Sequence, residues 1–73
     1  MANLDKQFLV FLGRKIRNER IKMDISQERL GEIAGVHRTY VGMVERGEKN
    51  ITIRNLSRFA KALNVKTRDL IDF

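Results

Sequence analysis

The sequence has no cysteine, no proline, no tryptophan and a single histidine, with five glycines in 73 residues. Without cysteine, neither disulfides nor thiolate ligands can staple a small core, and His37 alone cannot build a zinc site. Lack of proline, with glycine confined to positions 13, 31, 35, 42 and 47, leaves no linker, repeat or low-complexity segment. One continuous folded domain spanning residues 1–73 is therefore expected. The longest apolar run, Phe8–Leu12, covers five positions, where a bilayer-spanning helix needs ~20. Met1-Ala2-Asn3-Leu4-Asp5 lacks the basic-then-apolar plan of a signal peptide. No membrane partner is expected, and a soluble, cytoplasmic, nucleoid-associated chain is the default reading. No Gly-rich phosphate loop, HExxH, GxSxG or nucleophile–base pair occurs, so the chain reads as a non-enzyme without a cofactor. Glu28 and Glu32, one helical turn apart, read as an ordinary polar face. The stacking aromatics of an RNA-binding sheet are also missing.

Charge is what the chain has in excess. Fifteen Lys plus Arg against nine Asp plus Glu give a net +6 and a pI near 10.3, with 42% hydrophobic and 33% charged residues. That balance is globular rather than disordered, and a small chain this basic points to a polyanionic partner, usually nucleic acid.

Hydrophobic spacing is helical nearly throughout. Phe8, Leu12, Ile16 and Arg20, with Met23 three further on, lie on one face of a long first helix, for which Asn3 is the expected N-cap and Asp5 suits the dipole. The helix is expected to end near Asp24, a residue that tolerates the left-handed conformation. Ser26 caps a short second helix, Gln27 to Ala34, with Leu30, Ile33 and Ala34 inward and Gly35 at its C-terminal stop. A third helix runs from about Arg38 to Arg46 and ends at Gly47. Thr52 caps a fourth carrying Ile53, Leu56, Phe59, Ala60 and Leu63, and Thr67 begins a last turn with Leu70, Ile71 and Phe73. The expected fold is all-α with five short helices.

The second and third helices, joined by a short turn with glycine, form a helix-turn-helix pattern. Its physical demands are met one by one. Gly31 is small where the helices cross, Gly35 supplies a positive φ, and Val36, Val41 and Val44 hold the third helix against the second. Arg38, Thr39, Gly42, Met43 and Arg46 are left on the solvent side. A guanidinium fork matching guanine O6 and N7, a hydroxyl with a methyl, and no acidic group suit a DNA groove. Arg20, an arginine on an apolar stripe, must be paired if buried, and Glu45 is its natural partner.

The stretch Ser26-Gln27-Glu28-x-Leu30-Gly31-x-x-Ala34-Gly35-Val36, followed by an apolar-x-x-apolar-Glu45-x-Gly47 helix, resembles the Cro/C1-type, phage-repressor-like helix-turn-helix family. The resemblance extends from about Phe11 to Leu70. Within it, Gly35-Val36-His37-Arg38-Thr39-Tyr40-Val41, Glu45-Arg46-Gly47 and Asn50-Ile51-Thr52-Ile53 look most like the controller proteins of restriction–modification systems. The resemblance implies a five-helix λ-repressor-like domain that binds specific double-stranded DNA as a transcription regulator. It implies that Arg38 and Thr39 read base edges, that Gln27, Tyr40, Arg46 and Asn50 contact sugar–phosphate together with Ser26, His37 and Arg54, and that Arg20 pairs with Glu45 to tie the first helix to the third. It further implies binding upstream of the protein's own promoter, with two dimers on one operator and contact with RNA polymerase, timing restriction endonuclease expression. Three departures carry expectations. Asp24 stands where glycine or asparagine is common. His37 replaces the usual serine or threonine cap, so the third helix is expected to be capped poorly. Gly42 and Met43 replace longer polar residues, which concentrates direct readout in Arg38 and Thr39 and leaves the rest to DNA shape.

Leu9, Val10, Ile51, Ile71 and Phe73 exceed what so small a core is expected to hide. Phe8, Leu9 and Val10 can pack against the last turn within one chain. Ile51, Ile53, Leu70, Ile71 and Phe73 are assigned to a two-fold contact that sets two recognition helices ~34–36 Å apart on a pseudo-palindromic site. The alternative is a phage-type repressor or an antitoxin-like module that turns the same apolar surface toward a partner protein.

Overall fold

Asp5 opens the first helix, its carboxylate accepting the Gln7 N–H at 2.8 Å. The computed structural model describes residues 5–73, so Asn3, the expected cap, lies outside the described residues. Helix α1 (Lys6–Lys22) buries Leu9, Leu12, Gly13 and Ile16. It ends as expected at Asp24, whose φ of 58° lies in the left-handed region. Met23, placed on the apolar stripe by its spacing, is 40% exposed because the helix has already ended at Lys22 and the chain has left that face.

Helix α2 (Gln27–Ala34) begins with the Ser26 hydroxyl accepting the Arg29 N–H at 2.9 Å, and ends at Gly35 with φ 78°. Its buried face is Leu30, Gly31 and Ala34, while Ile33 is 43% exposed. Contact with the start of the next helix rotates that face toward Gly31: a Cβ added at Gly31 would stand 2.6 Å from the Val36 carbonyl oxygen. Ile33, on the far side of Leu30, is thereby turned outward. Helix α3 (Arg38–Glu45) follows at once. Its N-cap corrects the expectation of poor capping, since His37 Nδ1 accepts the Thr39 N–H at 3.0 Å, doing with a ring nitrogen what a serine hydroxyl does.

Helix α4 (Ile53–Ala62) is capped by Thr52, whose hydroxyl accepts the Asn55 N–H at 3.1 Å. It buries Leu56, Phe59, Ala60 and Ala62, with Leu63 at its C-cap also buried. Ile53 is 77% exposed, since it occupies the first turn, which nothing among the described residues covers. Asn64, with φ 58°, turns the chain into α5 (Thr67–Leu70), where Asp69 accepts the Lys66 N–H at 2.9 Å.

The five helices close around Phe59, Leu12, Ile16, Leu30, Leu70 and Val41, all essentially inaccessible to water. Each such side chain contributes ~1.5–3 kcal/mol by leaving solvent. Two residues assigned to the dimer contact belong to this core instead: Leu70 is fully buried and Ile51 is 9% exposed. A short closing helix needs an internal anchor, and Leu70 provides it. Ile53, Ile71 and Phe73 remain exposed, with Phe73 leaning on Phe8 and Phe11 at ring-centroid distances of 5.2 and 5.5 Å. Leu9 is buried within the chain. No helix among the described residues is long and apolar enough to cross a membrane.

Candidate nucleic-acid interface

Helix α3 is held at both ends, which fixes what its outer face presents. At its start, Gly31 admits the Val36 carbonyl and His37 caps the first turn. At its end, Glu45 is the one charged residue buried in the core among the described residues. Arg20 meets it as a fork, Nε donating to Oε2 at 2.7 Å and Nη2 to Oε1 at 3.0 Å, while Nη1 donates to the Ile25 carbonyl at 2.9 Å. This hydrogen bonding to Glu45 raises the Arg20 pKa above its ordinary value, against the opposing effect of burial. Every heavy atom of the guanidinium that can donate is thus used, and α1, α3 and the turn before α2 are joined at one point.

Gln27 extends the same network. Its Nε2 donates to Glu45 Oε1 at 3.0 Å. That amide, expected at a phosphate, is therefore engaged internally, and the group left for an anion at this end of α2 is the free backbone N–H of the first turn. Gly42 is buried rather than presented to solvent, because Gln27 and Arg46 lie across a position with no side chain of its own.

Arg38, Thr39 and Arg46 stand exposed on the outer face of α3, with Met43 half-buried between them. Exposed Ser26 and His37 flank its start, and exposed Asn50 and Arg54 lie beyond its end. Both arginines have internal partners. Arg38 Nη1 lies 3.0 Å from Glu28 Oε2 of α2, and Arg46 Nε lies 2.9 Å from Glu48 Oε2. The hydrogen bond between the latter two raises Arg46 and holds the Glu48 carboxyl below the usual carboxylate range.

Tyr40 is half-buried, its ring stacked on Phe59 with centroids 6.2 Å apart and planes 7° from parallel. Asn55 Nδ2 donates to its hydroxyl oxygen at 3.1 Å. Because that oxygen is an acceptor here, the phenolic proton stays free to donate outward, as a phosphate contact requires. Asn55 is the residue that sequence reasoning passed over. Its one local signal was its place three residues after the Thr52 cap, which says nothing of a tyrosine on another helix.

Among the described residues, no group of three or more His, Asp and Glu side chains could hold a metal ion. The surface around α3 offers guanidinium, hydroxyl and helix-terminal N–H donors, the equipment for meeting a nucleic-acid backbone and base edges, with the Glu28 and Glu48 carboxylates set against its two arginines.

Comparison with known proteins agrees with this geometry. A family model described as helix-turn-helix matches residues 16–70. The control protein C.BamHI of Bacillus amyloliquefaciens is 40% identical over 65 residues, covering 88% of this chain and 80% of that protein. The crystal structure of the restriction–modification controller protein C.AhdI from Aeromonas hydrophila superposes with a TM-score of 0.84 at 40% identity, covering 85% of this chain and 94% of that one. The P22 c2 repressor, solved in complex with a synthetic operator, superposes at 0.79 with 33% identity, covering 84% and 92%. The chain belongs to the helix-turn-helix family of DNA-binding transcription regulators and is of the restriction–modification controller type.

Proposed function

We propose that the chain acts as a homodimer on a pseudo-palindromic duplex operator next to its own gene, and by autoregulation times the expression of a restriction endonuclease. Arg38 and Thr39 read base edges in the major groove. Tyr40, Arg46, Asn50, Arg54 and the helix starts at Ser26 and His37 position the protein on the backbone. The observation that carries this reading is the outer face of α3, where Arg38 and Thr39 stand exposed on a helix whose both ends are fixed. The P22 c2 repressor, of the same fold, is seen with operator DNA. On this reading protein concentration and dimerisation are the regulatory variables. The chain then works in the bacterial cytoplasm at the nucleoid, two dimers fill one operator, and RNA polymerase is a further partner.

Selection of duplexes from a random pool at ~150 mM salt, where non-specific attraction is suppressed, is expected to return a palindrome with half-sites one helical turn apart. On the selected duplex, Arg38→Ala is expected to cost about 1–3 kcal/mol and to relax preference at one base position. Equal weakening on every sequence would make Arg38 a phosphate contact.

The two-fold contact is assigned to Ile53, with Ile71 and Phe73 as the other exposed apolar residues of the C-terminal third of the chain. Ile53→Glu is expected to leave the melting temperature of the isolated fold nearly unchanged, because the side chain is 77% exposed. It is expected to abolish the dimer in sedimentation equilibrium, since a carboxylate would then face its symmetry mate across a dry contact. An unchanged dimer would move the interface elsewhere.

A further inference from the structure

Glu28 and Glu32 stand one turn apart on α2 and, with His37 and Arg38, line an open crevice between α2 and the start of α3. Their partners differ. Glu32 accepts from Arg29 of its own helix at 3.1 Å, whereas Glu28 reaches across the turn and accepts from Arg38 Nη1 at 3.0 Å. Both side chains of the Glu28–Arg38 pair are 63% exposed, so the pair contributes little to folding. Its consequence lies in what Arg38 is left able to do.

We infer that Glu28 is a specificity-determining positioning residue, whose carboxylate holds one corner of the Arg38 guanidinium and so favours base-edge contact over phosphate contact. The inference rests on the reading of Arg38 as a base reader. A guanidinium is a planar fork of five N–H donors, and Glu28 occupies only the Nη1 corner. The edge made by Nε and Nη2 stays available for the bidentate pair with guanine O6 and N7. Phosphate attracts an arginine by net charge, whatever the base sequence. With a carboxylate hydrogen-bonded to it, Arg38 offers little net charge, and that attraction falls for every duplex alike. A guanine edge recognises the direction of the donors and loses far less. A guanidinium already held in place also has less rotamer freedom to lose on docking. Glu28 therefore weakens binding to arbitrary DNA more than binding to the operator, and widens the gap between them.

Fluorescence-anisotropy titration of the full chain tests this on two probes: the duplex selected by the wild-type protein, and a scrambled duplex of the same length and composition. Glu28→Gln is expected to bind the scrambled duplex about three- to tenfold tighter and the selected duplex with a smaller change, so that the affinity ratio falls at least about threefold, with the scrambled-duplex salt slope steepening by up to about one unit. Glu32→Gln removes the same charge from the same crevice without touching Arg38, and is expected to shift both duplexes alike. In an Arg38→Ala background, Glu28→Gln is expected to leave the ratio unchanged. Because both glutamates are exposed, unchanged thermal melts accompany either substitution. A ratio unaffected by Glu28→Gln, or lowered equally by Glu32→Gln, overturns the inference while Arg38 stands as a reader. A ratio unaffected by Arg38→Ala alone overturns the reading of Arg38, and the inference with it.

Discussion

Glu45→Ala is expected to lower the free energy of unfolding by about 3–5 kcal/mol, the cost of leaving a buried charge without its partner. The side chains of Arg20 and Glu45 are 13% and 3% exposed, so solvent cannot replace what the carboxylate supplies. Arg20 cannot escape by losing its proton, because a guanidinium stays charged at any working pH. After the substitution Arg20 keeps its bond to the Ile25 carbonyl, but two of its N–H groups lose their acceptor, and Gln27 Nε2 loses one as well. A chain this small has only ~3–5 kcal/mol to lose from a single core, so the variant is expected to be largely unfolded at growth temperature. Urea denaturation followed by circular dichroism measures this directly. A double replacement, Arg20→Met with Glu45→Leu, is expected to recover much of the loss, since two apolar side chains of similar volume can equal a buried ion pair. A shift below ~1 kcal/mol for Glu45→Ala would mean that the pair behaves as a surface contact.

Arg20 was legible in the sequence because a charge on an apolar stripe demands a partner, and few acids lay within reach. Ser26, Gly35 and Thr52 were legible for a related reason: a helix end poses a local problem that few residue types solve. The errors have a common cause in the other direction. Periodicity identifies a stripe on a helix but not which edge of it a neighbour covers. Ile33 is accordingly placed inward by its spacing, although it is 43% exposed. Leu70 and Ile51 were assigned outward on the assumption that the core was full, when closing the short last helix required one of them inside.

The site itself was legible as a set of exposed residues on α3, but not as a set of contacts. Glu28 and Arg38 are ten positions apart and meet only because the α2–α3 turn folds one helix across the other. Asn55 and Tyr40 meet across two helices and a loop. His37 was misjudged by residue type alone, since an unprotonated ring nitrogen accepts a backbone N–H as well as a hydroxyl does. Such pairings depend on the docked geometry of the helices, which single-residue preference does not encode.

Gly13 carries the same lesson at its largest cost. Helix propensity alone favours alanine over glycine by ~1 kcal/mol in a helix interior. Gly13→Ala is nonetheless expected to destabilise the fold by at least ~2 kcal/mol net, because overpacking against backbone exceeds the propensity gain. A Cβ at Gly13 would stand 2.5 Å from the Glu45 carbonyl oxygen and closer still to that of Val44. These are backbone atoms at the end of α3 and cannot rotate away, so α1 would have to lift from α3 by about 1 Å. That movement would loosen Leu9, Leu12 and Ile16 in the core and stretch the Arg20–Glu45 pair at the same crossing. A fall in melting temperature of roughly 8–16 °C is expected for a domain of this size. Gly42→Ala supplies the contrast. Its added Cβ would meet Arg46 Nη1 at 3.1 Å and Gln27 Oε1 at 3.5 Å, the ends of side chains that can move aside. There propensity is expected to win, giving a neutral or slightly more stable protein by calorimetry. Equal effects at the two positions would show that the α1–α3 crossing tolerates a methyl group, and that Gly13 serves some purpose other than close approach.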